Sequence, residues 1–313
     1  MKPSEIRGYA LAAFAAAAYG TNPAFALPLY EQGMNPGSVL LFRYALGVPL
    51  LAATMAVRGR SFRLSANEFG LVAVLSVLMA LSSLGLFESY RHMNSGVAST
   101  LLFVYPVMVA VLMMFFFHEK FRATVGVCLV LMCCGLGLLM KPQPGHSVSA
   151  YGCLLVMGSA LTYALYIVLV NVSHTVRAIP TTRLLLYVLA IGCLVFLAMV
   201  PLGSPVTLPS RASGWLCLVA LAVIPTVLSL ACTTMAIQAI GSTPTAILGA
   251  LEPVSAVVLS VAVLGQPVTP RDIAGGALIV AATTLVVADK SVDGVILHVR
   301  KMFPRIRRRR RRP

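Results

Sequence analysis

A lone carboxylate stands inside an apolar run. Between Pro244 and Leu264 the chain holds about 21 residues, enough to cross a bilayer, and Glu252 near the middle is the one charge among them. Placing an unpaired acid at the centre of a membrane helix costs roughly 2.5–3.5 kcal/mol on insertion scales, so such a residue faces a protein interior or a wet cavity. There it can exchange a proton or pair with the amino group of a substrate. The plainer alternative is a structural acid bonded to Ser255 or to a backbone carbonyl. Pro253 follows directly, and its missing N–H leaves the carbonyl of Gly249 in search of a partner.

The run has a twin. Val97 to Phe117 places Tyr105-Pro106-Val107 147 positions before Glu252-Pro253-Val254. Proline breaks at corresponding positions of two halves point to a transporter's central site, with Pro106 and Pro253 as its hinges. Tyr105, Tyr19, Tyr163 and Tyr166 can line one cavity, each giving an apolar wall with a polar tip, or can serve only interhelical packing. Asn22-Pro23 frees the carbonyl of Tyr19 and sets an amide beside it, for substrate contact or for local repair of the helix. Ser82 and Ser83, with Thr233 and Thr234, are weaker candidates, because membrane hydroxyls commonly satisfy their own helix. Arg43 lies too deep to reach the headgroups and calls for an acid or several carbonyls; Glu88 is the nearest acid by depth, and a substrate carboxylate is the sharper alternative.

These residues need membrane helices to position them. Hydrophobic residues make up 59% of the 313 and charged ones 11%, far from the roughly 25% charge of soluble domains. The pattern predicts an all-α polytopic protein of ten spans: about 8–29, 36–57, 69–90, 97–117 and 124–140, then 151–171, 180–201, 215–236, 244–264 and 273–288. Gly8, Tyr19 and Pro36 recur as Gly152, Tyr163 and Pro180, so residues 8–140 and 151–288 read as two five-helix repeats, with residues 289–313 a polybasic tail. Ala24-Phe25-Ala26 imitates a signal-peptidase site, but cleavage there would remove the first member of the repeat.

Charge sets the expected orientation. With a cytoplasmic N-terminus, Lys2, Arg7, Arg58, Arg60, Arg63, Lys120, Arg122 and Arg177 lie inside, with Arg183 close by, against Arg91, Lys141, Arg211 and Arg271 outside. Both termini are then cytoplasmic in a plasma (inner) membrane. Five being odd, the two repeats are inverted. The tail from Arg300 is expected to lie on anionic lipid headgroups, where each cation contributes roughly 1 kcal/mol, rather than on nucleic acid. Seven cysteines in apolar runs and five scattered histidines show no metal spacing, so neither metal nor cofactor is expected. Gly126, Gly135, Gly137, Gly275 and Gly276 permit close helix approach, either within the chain or in a homodimer.

The ten-span plan, the Gly96-Val97-Ala98-Ser99-Thr100 start of span four, its central proline, the His118-Glu119-Lys120-Phe121 exit and the Gln266-Pro267-Val268-Thr269 equivalent resemble the EamA type of the drug/metabolite transporter superfamily. The resemblance implies a secondary transporter of small metabolites, amino acids foremost, most often an exporter, with a central cavity walled by spans one, three, four, six, eight and nine. Two departures stand out. Gly265-Gln266 lacks the acid that Glu119 keeps, and span one has no carboxylate of the kind that couples protons in four-span relatives. Protons remain a candidate coupling ion. A multidrug-type exporter of the same fold and a non-transporting scaffold or sensor are the alternatives; an intramembrane enzyme is disfavoured, since no paired carboxylates or nucleophile arrangement occurs in the spans.

Overall fold

A computed structural model describes residues 3–89, 92–93, 95–119, 122–139, 149–198, 205–255, 258 and 269–302. Every regular element among them is helical. In order they are α1 (Pro3–Gly20), α2 (Asn22–Glu31), α3 (Pro36–Val57), α4 (Ala66–Ser89), α5 (Ser95–Leu102), α6 (Tyr105–Phe117), α7 (Ala123–Leu139), α8 (Ala150–Val172), α9 (His174–Ala178), α10 (Thr181–Ala198), α11 (Ala212–Leu221), a π-helical segment (Ala222–Leu228), α12 (Ser229–Ile240), α13 (Ser242–Gly249) and α14 (Pro270–Met302). Eight helical stretches are long and apolar enough to cross a bilayer, and Ala123–Leu139 is a shorter apolar one. Most of the ninth expected span beyond Ser255, the Gln266 motif, Arg91, Lys120 and the tail from residue 303 lie outside the described residues.

Local chemistry sets the helix ends. Asn35 accepts from the Ser38 N–H with Pro36 in the first turn of α3, and Ser149 caps α8 through the Gly152 N–H. Ser65 and Glu68 form a reciprocal capping box before α4: Glu68 accepts from the Ser65 N–H at 2.7 Å, and Ser65 from the Glu68 N–H at 3.3 Å. Four expected spans are broken rather than continuous: the first at Thr21, the fourth at Phe103-Val104, the eighth where Pro225 forces the π-helical segment, and the ninth at Ala250. The Thr226 hydroxyl takes the Leu221 carbonyl there at 2.7 Å, replacing the N–H that Pro225 lacks.

The two halves pack as an inverted pair. α4 lies against α8, and α12 correspondingly against α1; α5 and α6 meet α8 as α13 meets α1; α3 crosses α10, and α7 packs on α14. The symmetry reaches single contacts. A Cβ added at Gly8 would stand 2.6 Å from Ile240, and one at Gly152 would stand 2.7 Å from Met93. A Cβ at Gly47 would meet Leu189 at 2.7 Å, and one at Gly192 would meet the Tyr44 ring at 2.6 Å. This last pairing sets the register between α3 and α10 at 145, one more than the 144 of the first spans, so Val188 rather than Tyr187 corresponds to Arg43.

Outside this packing the surface is apolar. Leu154, Phe115, Phe116 and Leu216 are about 70% exposed, the pattern of a lipid-facing wall. Gly135 and Gly275 face each other, each lacking the Cβ that would come within 2.8 Å of the other's carbonyl, so these two glycines are used within the chain. Cys128 and Cys232 are buried, but Cys133 and Cys134 are exposed on α7 rather than in the core. The single tryptophan, Trp215 near the start of α11, sits edge-on to Phe42 of α3 at 5.9 Å.

Candidate transport site

α1, α6, α8, α12 and α13 converge at mid-bundle on a cavity of about 30 Å³. Tyr19, Tyr105, Tyr163 and Glu252 line it, with Ser229, Thr233 and Thr245 supplying hydroxyls and Ala12, Ala15 and Ala16 a small-residue wall. That volume admits water and falls well short of the roughly 300–1,000 Å³ of a ligand-sized cleft, so a metabolite requires the walls to part. Ser255 donates to the Leu251 carbonyl of its own helix at 3.0 Å. The Glu252 carboxylate is thus not held by Ser255, and it faces the cavity alongside three phenol rings.

Tyr105 joins the two broken helices. Its ring lies 4.9 Å from that of Tyr163, and its hydroxyl donates to the Ala246 carbonyl at 3.2 Å. That carbonyl is accessible because the Ala250 N–H turns to Ile247 at 3.1 Å instead of bonding four residues back. The break opens at Ala250, ahead of Pro253, so the carbonyl served is that of Ala246 rather than that of Gly249. Gly249 has a different part: a Cβ there would stand 1.9 Å from the Tyr105 hydroxyl, so only glycine leaves room for the approach.

Behind Tyr19 lies a second polar cluster. Arg43 is 2% exposed; its Nε donates to Thr226 Oγ1, its Nη2 to the Pro225 carbonyl at 3.2 Å and its Nη1 to Asn22 Oδ1 at 3.5 Å, and its guanidinium lies 5.5 Å from the Tyr19 ring centre. The π-helical segment supplies two of these acceptors. Glu88, the acid expected for Arg43, instead lies 3.7 Å from His92 one turn away.

Of the residues singled out in the sequence, Glu252, Tyr105, Tyr19, Tyr163 and Thr233 share the cavity, while Arg43 and Asn22 sit on the far side of Tyr19. Tyr166 is fully buried, parallel to Tyr163 at 6.3 Å and away from the cavity. Ser83 is bonded to the Tyr44 hydroxyl at 3.1 Å, also away from it. Pro106 and Pro253 each lie within three residues after a helix break. Sequence reading missed Ser229, Thr245 and Gly249. Ser229 was detectable as the repeat partner of Ser82, 147 positions earlier. At the end of the bundle where α6 and α12 finish, Thr243 donates to Glu119 at 3.3 Å across the two halves, while Asn171 donates to Ser242 at 3.1 Å and Arg177 to the Gln238 carbonyl at 3.0 Å within the second half.

The family profile matches this chain twice, over residues 6–141 and 150–288, under the description EamA-like transporter family. The chain belongs to the EamA-like transporter family. It is therefore a multi-pass membrane protein of the drug/metabolite transporter superfamily, and its two matched units are the two halves of the inverted pair. Among solved structures, one described only as "Crystal structure of protein" matches this EamA-like transporter with a TM-score of 0.76 at 17% identity, covering 89% of this chain and 95% of its own, which bears on the fold alone. No curated protein matches the chain.

Proposed function

We propose that this EamA-like transporter is a secondary exporter of small amine-bearing metabolites, amino acids foremost, working by alternating access through the mid-bundle cavity. The observation that carries this reading is the grouping of Glu252 with Tyr19, Tyr105 and Tyr163 between two helices broken at corresponding positions. A carboxylate beside phenol faces suits an ammonium group, which gains both an ion pair and cation–π attraction. Pro106 and Pro253 lie where the halves would flex as they rock. In this reading the termini are cytoplasmic in the inner membrane, the arginine tail rests on anionic headgroups, and single copies or homodimers both leave the cavity complete.

The test is counterflow of labelled amino acids into proteoliposomes preloaded with the unlabelled compound. Uptake above protein-free vesicles is expected, and Glu252→Gln should abolish it at unchanged membrane abundance; wild-type rates in that variant remove Glu252 from the site. The phenol box also favours a second reading, a lipophilic organic cation as cargo. Counterflow of such a cation with none of amino acids would select it, and a scaffold or sensor would show neither.

A further inference from the structure

The broken helices offer equivalent backbone acceptors to non-equivalent side chains. In α13 the Ala250 N–H bonds Ile247, which leaves the Ala246 carbonyl to the Tyr105 hydroxyl. Exactly 147 positions earlier the same break recurs: the Phe103 N–H bonds Thr100 at 3.1 Å, so the backbone carbonyl of Ser99 loses its regular helix donor as that of Ala246 does. When inverted repeats exchange conformations, a contact made by one half is made in the other state by its repeat mates. The mate of Tyr105 is Glu252, and the mate of Ala246 is Ser99. Side-chain size is consistent with the exchange: the long tyrosine approaches Gly249, whereas the shorter glutamate would approach Leu102, the mate of Gly249.

We propose that Tyr105 and Glu252 are alternating latches across the two helix breaks, and that Glu252 latches onto the Ser99 carbonyl only as the neutral acid, making it a proton site of the transport cycle. The proposal rests on the alternating-access reading above. A tyrosine hydroxyl donates at any physiological pH, but a carboxylate only accepts and would meet a carbonyl oxygen with like partial charge. One proton therefore passes from water to a Glu252 oxygen, forming the O–H that donates to Ser99; when the latch opens, that O–H bond breaks and the proton returns to water. The titratable or charged groups facing Glu252 are Tyr19 of α1, Tyr105 of α6 and Tyr163 of α8, with Arg43 of α3 behind Tyr19; α12 brings only the hydroxyls of Ser229 and Thr233. No second described carboxylate lines the cavity to take the proton instead.

Hydrogen exchange of the purified full chain, read by mass spectrometry in mildly alkaline and mildly acid buffer, tests this without a substrate. Acid should protect one end of the bundle and expose the other, the reporters being residues 32–35 and 205–211 at one end and 117–119 and 242–249 at the other. Glu252→Gln, whose amide donates at any pH, should give the acid pattern in both buffers. Tyr105→Phe, which loses the latch seen here, should move the alkaline pattern toward the acid one. A wild-type pattern indifferent to pH, or a pH response that survives in Glu252→Gln, overturns the proposal. Because counterflow is measured separately, a protein that transports without this response refutes the latches and spares the transport reading.

Discussion

Ser159 donates to the Ser82 carbonyl at 2.6 Å in one half of the bundle, and in the other Ser229 donates to the Ala15 carbonyl at 2.9 Å. Ser82 is the repeat mate of Ser229 and Ser159 that of Ala15, so the same crossing is bonded in both places with the donor on opposite members, and the glycine crossings at Gly8 and Gly152 correspond likewise. Around the cavity the correspondence fails. Asn22, Arg43 and Thr226 form a buried polar cluster on one side of the axis; their counterparts on the other are Tyr166, Val188 and Met79, all buried and none charged. Contacts that hold helices together tolerate little change, because a small residue at a crossing has no substitute, so both copies kept them. The cavity had no such constraint. Two halves with different side chains at its edge make the two open states unequal in energy, and that inequality gives a carrier its preferred resting side.

The sharpest way to break this comparison is Val188→Arg, which puts a guanidinium into the apolar counterpart of the Arg43 site. With Met79 in place of Thr226 and a phenol hydroxyl at Tyr166 in place of the Asn22 amide oxygen, the charge has too few acceptors to offset its burial, and loss of folded protein from the membrane is expected; normal abundance would show that the two environments are equivalent after all. Next in size is Gly249→Ala, whose methyl overlaps the Tyr105 hydroxyl and should cost about 1–3 kcal/mol in thermal unfolding. Adding Tyr105→Phe should recover part of that loss, and strict additivity of the two would deny the contact. Arg43→Val, which installs the residue of the other half, strands Asn22 and the Pro225 carbonyl and should cost about 1–3 kcal/mol; a gain in stability would show that Arg43 serves transport at the expense of the fold. The smallest effects belong to Ser159→Ala and Ser229→Ala, about 1 kcal/mol each and equal to one another. Unequal values would place functional demand on one clamp only.

Hydropathy made the scaffold legible: Pro36 and Val57 bound α3 where expected, and the repeat offset predicted which helices correspond. The proline breaks led to Tyr105 and Glu252 because a missing N–H at membrane depth is visible in one dimension. The environment of Arg43 was hidden for the opposite reason. A search among acids pointed to Glu88, whereas the acceptors are a hydroxyl and a carbonyl made available by the π-helical segment at Pro225, a backbone irregularity that periodicity does not register. Gly249 was equally hidden, since its importance lies in the reach of a tyrosine 144 residues away in sequence. The expected spans one, four, eight and nine missed the positions of their interruptions because composition stays apolar through each.

Trp215 gives this molecule a built-in optical probe. As the sole indole in the chain, edge-on to Phe42, it couples the start of α11 to α3 at the end of the bundle above the Arg43 cluster. Its emission colour and quenching by lipid-borne bromine can follow that seam opening in unlabelled protein, one turnover after another, with no cysteine needing to be added or removed.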